Sequence, residues 1–112
     1  MGSLSIGSVV FVHFPFSDLS GSKKRPAFVL AVLPKDDIIL CQITSKAYAD
    51  PNAIELRQQD FTQGQLIQLS YIRPSKIFTA NIAIVDSVVA QTHPQIHQES
   101  VNQLERILRN YS

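Results

Sequence analysis

The sequence is poor in three things, and each shortage excludes a class of protein. It has one cysteine, Cys41, in 112 residues, so a disulfide framework and a cysteine-based zinc site are excluded. It has no apolar run near the roughly 18 residues of a membrane helix; the longest, Ala27 to Leu33, is walled in by Pro26 and Pro34. It has almost no excess of charge, with Lys+Arg 10 against Asp+Glu 9 and a formal net charge of +1. Bulk positive potential is therefore not how this chain would hold nucleic acid. Charged residues are 17% and hydrophobic ones 45%, a balance that excludes wholesale disorder. No signal-like segment opens the chain, and no internal repeat or low-complexity stretch follows. The expectation is a single globular domain over residues 1–112, cytoplasmic and without a membrane span.

What is present is a series of short apolar runs at the spacing of an all-β unit. Val9 to Phe14 is β-branched and aromatic and is stopped by Pro15. Ala27 to Leu33 is almost continuously apolar, as in a strand buried on both faces or packed in a small barrel. The cluster Pro34-Lys35-Asp36-Asp37 and the run Ile38 to Ile43 predict a hairpin with a four-residue loop. Ala53 to Leu56 is a further short strand. Leu66 to Ile72 with Ile77-Phe78 predicts an extended region punctuated by Pro74, and Ile84 to Ala90 the last strand. From Pro94 onward, Ile96, Val101, Leu104 and Leu108 share one face of a helix. Thr92-His93-Pro94-Gln95 predicts its capping box, and Arg106 and Arg109 suit its C-terminal dipole.

Two loops interrupt this rhythm, one from Ser17 to Arg25 and one from Lys46 to Asn52. Lys23-Lys24-Arg25-Pro26 is the sharpest feature. Pro26 biases Arg25 toward an extended backbone, and its guanidinium matches a phosphate with a planar donor fork. Thr44-Ser45-Lys46 closes the following strand. Antiparallel pairing brings Arg25 and Thr44 to the same end of one hairpin, where a guanidinium beside a hydroxyl suits one phosphate. The plainer alternatives are a solvated basic loop and a strand-end hydroxyl bonded to its own backbone. Tyr71, Arg73 and Lys76 could track a single strand of RNA or form ordinary sheet surface. His93 and His97 stand four apart but lack a third ligand, so no metal site is expected. Cys41 is expected as a small buried hydrophobe.

These residues resemble a known family. Ile6-Gly7-Ser8-Val9-Val10, the stretch Phe14 to Ala27 and Cys41-Gln42-Ile43-Thr44-Ser45 are similar to the MazF/PemK toxin–antitoxin endoribonucleases. The similarity continues through Gly64-Gln65-Leu66, Ser70 to Phe78 and the terminal helix. The resemblance implies a mainly β (α+β) fold, a small SH3-like β-barrel with a C-terminal α-helix, assembled as a homodimer. It also implies sequence-specific, ribosome-independent, metal-free and cofactor-free cleavage of single-stranded mRNA at short motifs, leaving a 2′,3′-cyclic phosphate and a 5′-hydroxyl, and neutralisation by a cognate antitoxin.

By this resemblance Arg25 and Thr44 are catalytic; the acid–base pair of the PemK branch does not transfer, which leaves Asp18 as the candidate base and His13 as a weaker one. Ser45, Lys23, Lys24, Lys46, Arg73 and Lys76 are the RNA-binding candidates. Ser8 departs from the family, which commonly has an acidic residue there. The histidine and aspartate of the PemK branch are absent before Arg25-Pro26 and near Ser70. The rival expectations are a barrel toxin that binds a protein such as DNA gyrase without catalysis, and an inactive member. Near-neutral charge implies gripping one phosphate and a shallow dependence of RNA affinity on salt.

Overall fold

Side chains alternate between the two faces of a strand, so a strand apolar at every position needs cover on both sides. The first three strands meet that condition. In the computed structural model, which describes residues 4–14, 23–46 and 50–111, they are β1 (Ser8–Phe14), β2 (Lys23–Val32) and β3 (Asp37–Thr44). Val9, Phe28, Leu30, Cys41 and Ile43 enter one buried cluster; Val10, Val12, Ala27, Val29, Ile38 and Leu40 enter another. The alternation puts the two clusters on opposite faces of one sheet. The apolar run of β2 is thus a strand buried on both faces.

The remaining strands are β4 (Ile54–Leu56), β5 (Phe61–Gly64), β6 (Ser70–Asn81) and β7 (Val85–Thr92). All seven form a curled half-barrel in the order β4-β6-β3-β2-β1-β7-β5, with every pairing antiparallel. The mainly β architecture with a C-terminal helix is the one expected. β5 escaped the sequence pattern because it is short and mostly exposed.

The β2–β3 hairpin is tighter than expected. Residues 34–36 make its turn, Asp37 already belongs to β3, and the Leu33 N–H donates to the Asp37 carbonyl at 2.8 Å. The extended region around Pro74 also differs. Leu66 lies outside the strand, and β6 runs unbroken through Pro74 by way of a bulge. Gln42 pairs with Arg73 while Cys41 pairs with Ile77, leaving residues 74–76 unmatched on β3. A proline, which has no N–H for the ladder, fits such a bulge, and Pro74 is fully buried there.

Helix α1 (Pro94–Asn110) packs on β6 and β2. Pro94 opens it as expected, but the capping box does not form. Thr92 ends β7 and its hydroxyl donates to the Gly7 carbonyl at 2.9 Å, while His93 occupies the cap position without a side-chain bond. The buried face is also rotated from expectation. Ile96 and Ser100 are buried and Leu104 packs on the first cluster, whereas Val101 is 38% and Leu108 63% exposed. His97 Nε2 donates to the Leu30 carbonyl at 2.8 Å, tying the helix to β2.

Gly64 closes β5 with φ +66, and a Cβ there would stand 2.1 Å from the Val89 carbonyl oxygen. Both the left-handed backbone and the contact oppose any larger residue. Gly64→Ala is expected to lose about 2 kcal/mol or more, seen as a lower urea midpoint; an unchanged midpoint would mean that β5 does not lie against β7 this closely.

Candidate functional site: a cleft at the end of the β2–β3 hairpin

Ala27 pairs with Gln42 across the hairpin, and continuing that register outward brings Arg25 level with Thr44. Both open into a cleft of about 540 Å³. The strand ends contribute Arg25, Thr44 and Ser45; the connection between β5 and β6 contributes Gln65, Leu66, Ile67 and Gln68. Phe11, Pro26, Ile43 and Val89 supply further apolar surface, and Ser70 stands at the start of β6. Pro26 faces β1 at Phe11, and the pairing with β3 begins one residue later, so its missing N–H interrupts no β2–β3 bond.

The exposed Arg25 differs from the other arginines. Arg57 pairs with Glu55 at 2.8 Å, Arg73 with Asp50 at 2.7 Å and Arg109 with Glu105 at 3.0 Å, and Arg106 donates to the Gln103 side chain. Among the described residues Arg25 has no carboxylate partner and no hydrogen bond. A guanidinium keeps its charge, so Arg25 offers an uncompensated cation to whatever enters the cleft. Thr44 Oγ1 accepts the Lys46 N–H at 3.0 Å, and its hydrogen has only the Lys46 carbonyl, at 3.5 Å. The strand-end bond weighed from the sequence is therefore present. It holds the hydroxyl in place and leaves it a weakly committed donor.

The other candidates are placed elsewhere. Lys24 Nζ donates to Asp86 Oδ2 at 3.2 Å, and His13 Nε2 lies 3.4 Å from Oδ1 of the same carboxylate. The bond from Lys24, with His13 adding to it, holds Asp86 below the usual carboxylate range. His13 and Lys24 do not line the cleft, nor do Lys46, Arg73 and Lys76. Asp18 and the Lys23 side chain lie outside the described residues. Cys41 supplies no nucleophile: burial pushes its thiol up to about 12. Among the described residues the lining holds neither carboxylate nor imidazole.

Arg73 has a structural task instead. Its Nε donates to Asp50 Oδ2, whose side chain is only 8% exposed, and Asp50 Oδ1 accepts the Asn52 N–H at 3.0 Å. Burial raises the Asp50 carboxyl, but the bonds from Arg73 and Asn52 and the charges of Arg73 and Lys76 outweigh it, so its pKa is lowered. Asn52 Oδ1 in turn accepts from Gln103 of α1 at 3.0 Å. The Asp50–Asn52 segment is thereby anchored to β6 and the helix.

No pattern in the sequence singles out Gln65, Gln68 or Ser70 as site residues, although Gly64-Gln65-Leu66 and Ser70 fall within the stretches that carry the resemblance. The available signal was an apolar pair, Leu66-Ile67, between two glutamines. Ile67 is 98% exposed, which a core strand would not allow.

The sequence matches no established family model and none of the curated proteins. Solved structures do match over nearly the full length. MazF in the MazE–MazF assembly of Deinococcus radiodurans superposes with a TM-score of 0.74 at 18% identity, covering 96% of each chain. The Mycobacterium tuberculosis toxin MazF-mt6 gives 0.70 at 11% identity over 91% of this chain and 96% of its own. A mycobacterial endoribonuclease in complex with its cognate antitoxin gives 0.69 at 12% identity over 97% and 96%.

The Asp50 anchor generates a pH-dependent prediction. A carboxyl lowered in the folded state stabilises above its unfolded value, near 3.8, and loses that contribution as pH falls through the lower folded value. Asp50→Asn is expected to cost about 1–3 kcal/mol at pH 7. In urea unfolding, the gap from wild type should close as pH falls below about 4; a gap constant with pH would dissociate Asp50 from the anchor. As to architecture, the chain has the fold of the MazF toxins.

Proposed function

We propose that this protein is the toxin of a type II toxin–antitoxin pair, and that its cleft cuts single-stranded RNA. One observation carries the proposal: in a MazF-like fold, the one arginine without a partner among the described residues shares a cleft with Thr44 and Ser45. In the proposed reaction the ribose 2′-oxygen bonds to the adjacent phosphorus and gives up its proton to a base. The bond from phosphorus to the 5′-oxygen breaks, and that oxygen takes a proton. A 2′,3′-cyclic phosphate and a 5′-hydroxyl result.

Arg25 is suited to the extra negative charge of the phosphorane, which a fixed cation stabilises more than the ground-state phosphate. Thr44 and Ser45 orient the phosphate. Asp18 remains the proposed base. The charge is stabilised by the guanidinium, so the scheme is metal-free. The reading also makes partners of a cognate antitoxin, as the MazE–MazF and endoribonuclease–antitoxin neighbours support, and of a second copy of this chain.

One observation favours a second reading. Without a described carboxylate or imidazole in the lining, the same cleft suits a toxin that binds a protein such as DNA gyrase and performs no chemistry.

Cleavage of single-stranded oligoribonucleotides separates the two. Arg25→Ala is expected to slow cleavage about 100-fold or more, in the range of losing one preorganised charge donor. Lys24→Ala, whose side chain is held by Asp86, should stay within about 2-fold of wild type. Uncut RNA, or Arg25→Ala cutting at the wild-type rate, removes the first reading; trapping of gyrase on supercoiled DNA would then support the second.

A further inference from the structure

Outside the cleft, one group of ionisable side chains is drawn together by an irregularity of the sheet. Lys24 stands directly opposite His13 across the β1–β2 ladder, which puts both on one face. Asp86 meets the two of them from β7: its Oδ2 accepts from Lys24 Nζ at 3.2 Å, and its Oδ1 lies 3.4 Å from His13 Nε2. The register explains how it reaches them. Ser87 pairs with Phe11 and Val85 with Val12, so Asp86 is the extra residue of a bulge in β7. Bulges re-aim single side chains and are over-represented beside active sites. The three side chains are between 33% and 56% exposed, so protons and ligands reach them.

The net charge of this group depends on one proton. The bond from Lys24, with His13 adding to it, holds Asp86 below the usual carboxylate range, so Asp86 is an anion at neutral pH. It cancels the lysine cation. Histidine is the side chain that changes charge between about pH 5 and 8. A proton on His13 leaves the group with one positive charge in excess. Among the described residues the charges that face His13 are Lys24 from β2 and Asp86 from β7, with Arg25 the next charge along β2. The turn Ile82–Ile84, which packs on β1, brings none.

Resting on the reading that the cleft takes single-stranded RNA, we infer that His13, Asp86 and Lys24 form a proton-operated charge clasp beside it, neutral at alkaline pH and a second cation next to Arg25 on acidification. Adjacent Cα atoms are about 3.8 Å apart, and charges are felt over a Debye length of about 8 Å at physiological salt. Alternation sends Lys24 and Arg25 to opposite faces of β2. The clasp therefore adds to the hold on a neighbouring phosphate and leaves the scissile one to Arg25. Coupling of this kind is reciprocal: if a proton on the clasp tightens RNA binding, bound RNA draws a proton onto the clasp.

The test is binding of a mixed-sequence 2′-O-methyl RNA strand between about pH 5.5 and 7.5, run beside cleavage of the same sequence as unmodified RNA. The phosphates and bases of the strand keep their charge over this range. Its attacking hydroxyl is blocked, which separates the charge of His13 from any part in proton transfer. Wild type is expected to bind about 3-fold more tightly at the acid end, the size of one exposed charge contact, and to lose this step in high salt. His13→Gln should lack the step although His93 and His97 still titrate. Asp86→Asn, which uncovers Lys24 at every pH, should bind at neutral pH as tightly as wild type does when acidified. Calorimetry at about pH 6.5 in buffers of different ionisation enthalpy should show protons taken up by wild type on binding and not by His13→Gln; melting of each variant shows that it is folded.

A wild type that binds equally at both ends of the range overturns the clasp, as does a step that survives in His13→Gln. So does an Asp86→Asn variant no tighter than wild type at neutral pH. A pH step that depends on His13, without cleavage of the unmodified strand, overturns the cleavage reading alone. A strand that wild type fails to bind throughout the range overturns both.

Discussion

Burial on both faces of β1, β2 and β3 is the constraint on which the site depends. In most antiparallel sheets one face is wet, and register is held by the apolar set on the other. Here a slip of one residue along β2 would send Phe28 and Leu30 into the space of Ala27 and Val29, and the reverse. The two sets differ in volume, and interiors filled to crystal density tolerate neither a void nor an extra methylene without loss. Two clusters sharing the same strands therefore fix the pairing more firmly than either alone. Because Ala27 is locked opposite Gln42, Arg25 and Thr44 emerge level at the hairpin's open end, and a charged pocket at the rim inherits its geometry from the apolar interior.

The sparse charge of the chain serves the same end by a different route. Carboxylates take up Lys24, Arg57, Arg73 and Arg109. Most of these pairs are exposed and contribute little to stability; their consequence is to compensate cations away from the cleft. Arg25 is left without a described partner, so its attraction for an anion is not spent on a neighbour. A net charge of +1 is compatible with a strong local field provided that the compensation is uneven, and here it is.

What could be foreseen from the sequence follows from the range of the interactions involved. The doubly buried run of β2, the Pro94 helix start and the meeting of Arg25 with Thr44 each rest on local pattern plus one antiparallel pairing. The helix face was misjudged because Ile96 and Leu104 carry the same spacing signal as Val101 and Leu108. The fold decides between them by bonding His97 to Leu30 of β2 and burying Ser100. Arg73 looked like an RNA contact, yet its partner Asp50 stands 23 positions away, a distance that no local pattern spans.

The segment from Gln65 to Leu69 failed for the opposite reason, since its pattern was strong and misleading. Leu66, Ile67 and Leu69 predict a strand in the core, but only Leu66 packs against a cluster, while Ile67 and Leu69 are exposed. A chain that leaves two large apolar side chains in water forgoes about 1.5–3 kcal/mol for each relative to burial. Strand formation there is opposed by Gly64, whose left-handed backbone ends β5 against Val89 and turns the chain away from the sheet. The turn puts the apolar residues and the two glutamines in one cleft with Arg25 and Thr44, and Ile67 stays outside both buried clusters. An exposed apolar residue that merely lacked a place in the core would need no such neighbours. This one stands between Gln65 and Gln68 in the lining of the cleft that holds Arg25, so its exposure follows from the turn that shapes the cleft.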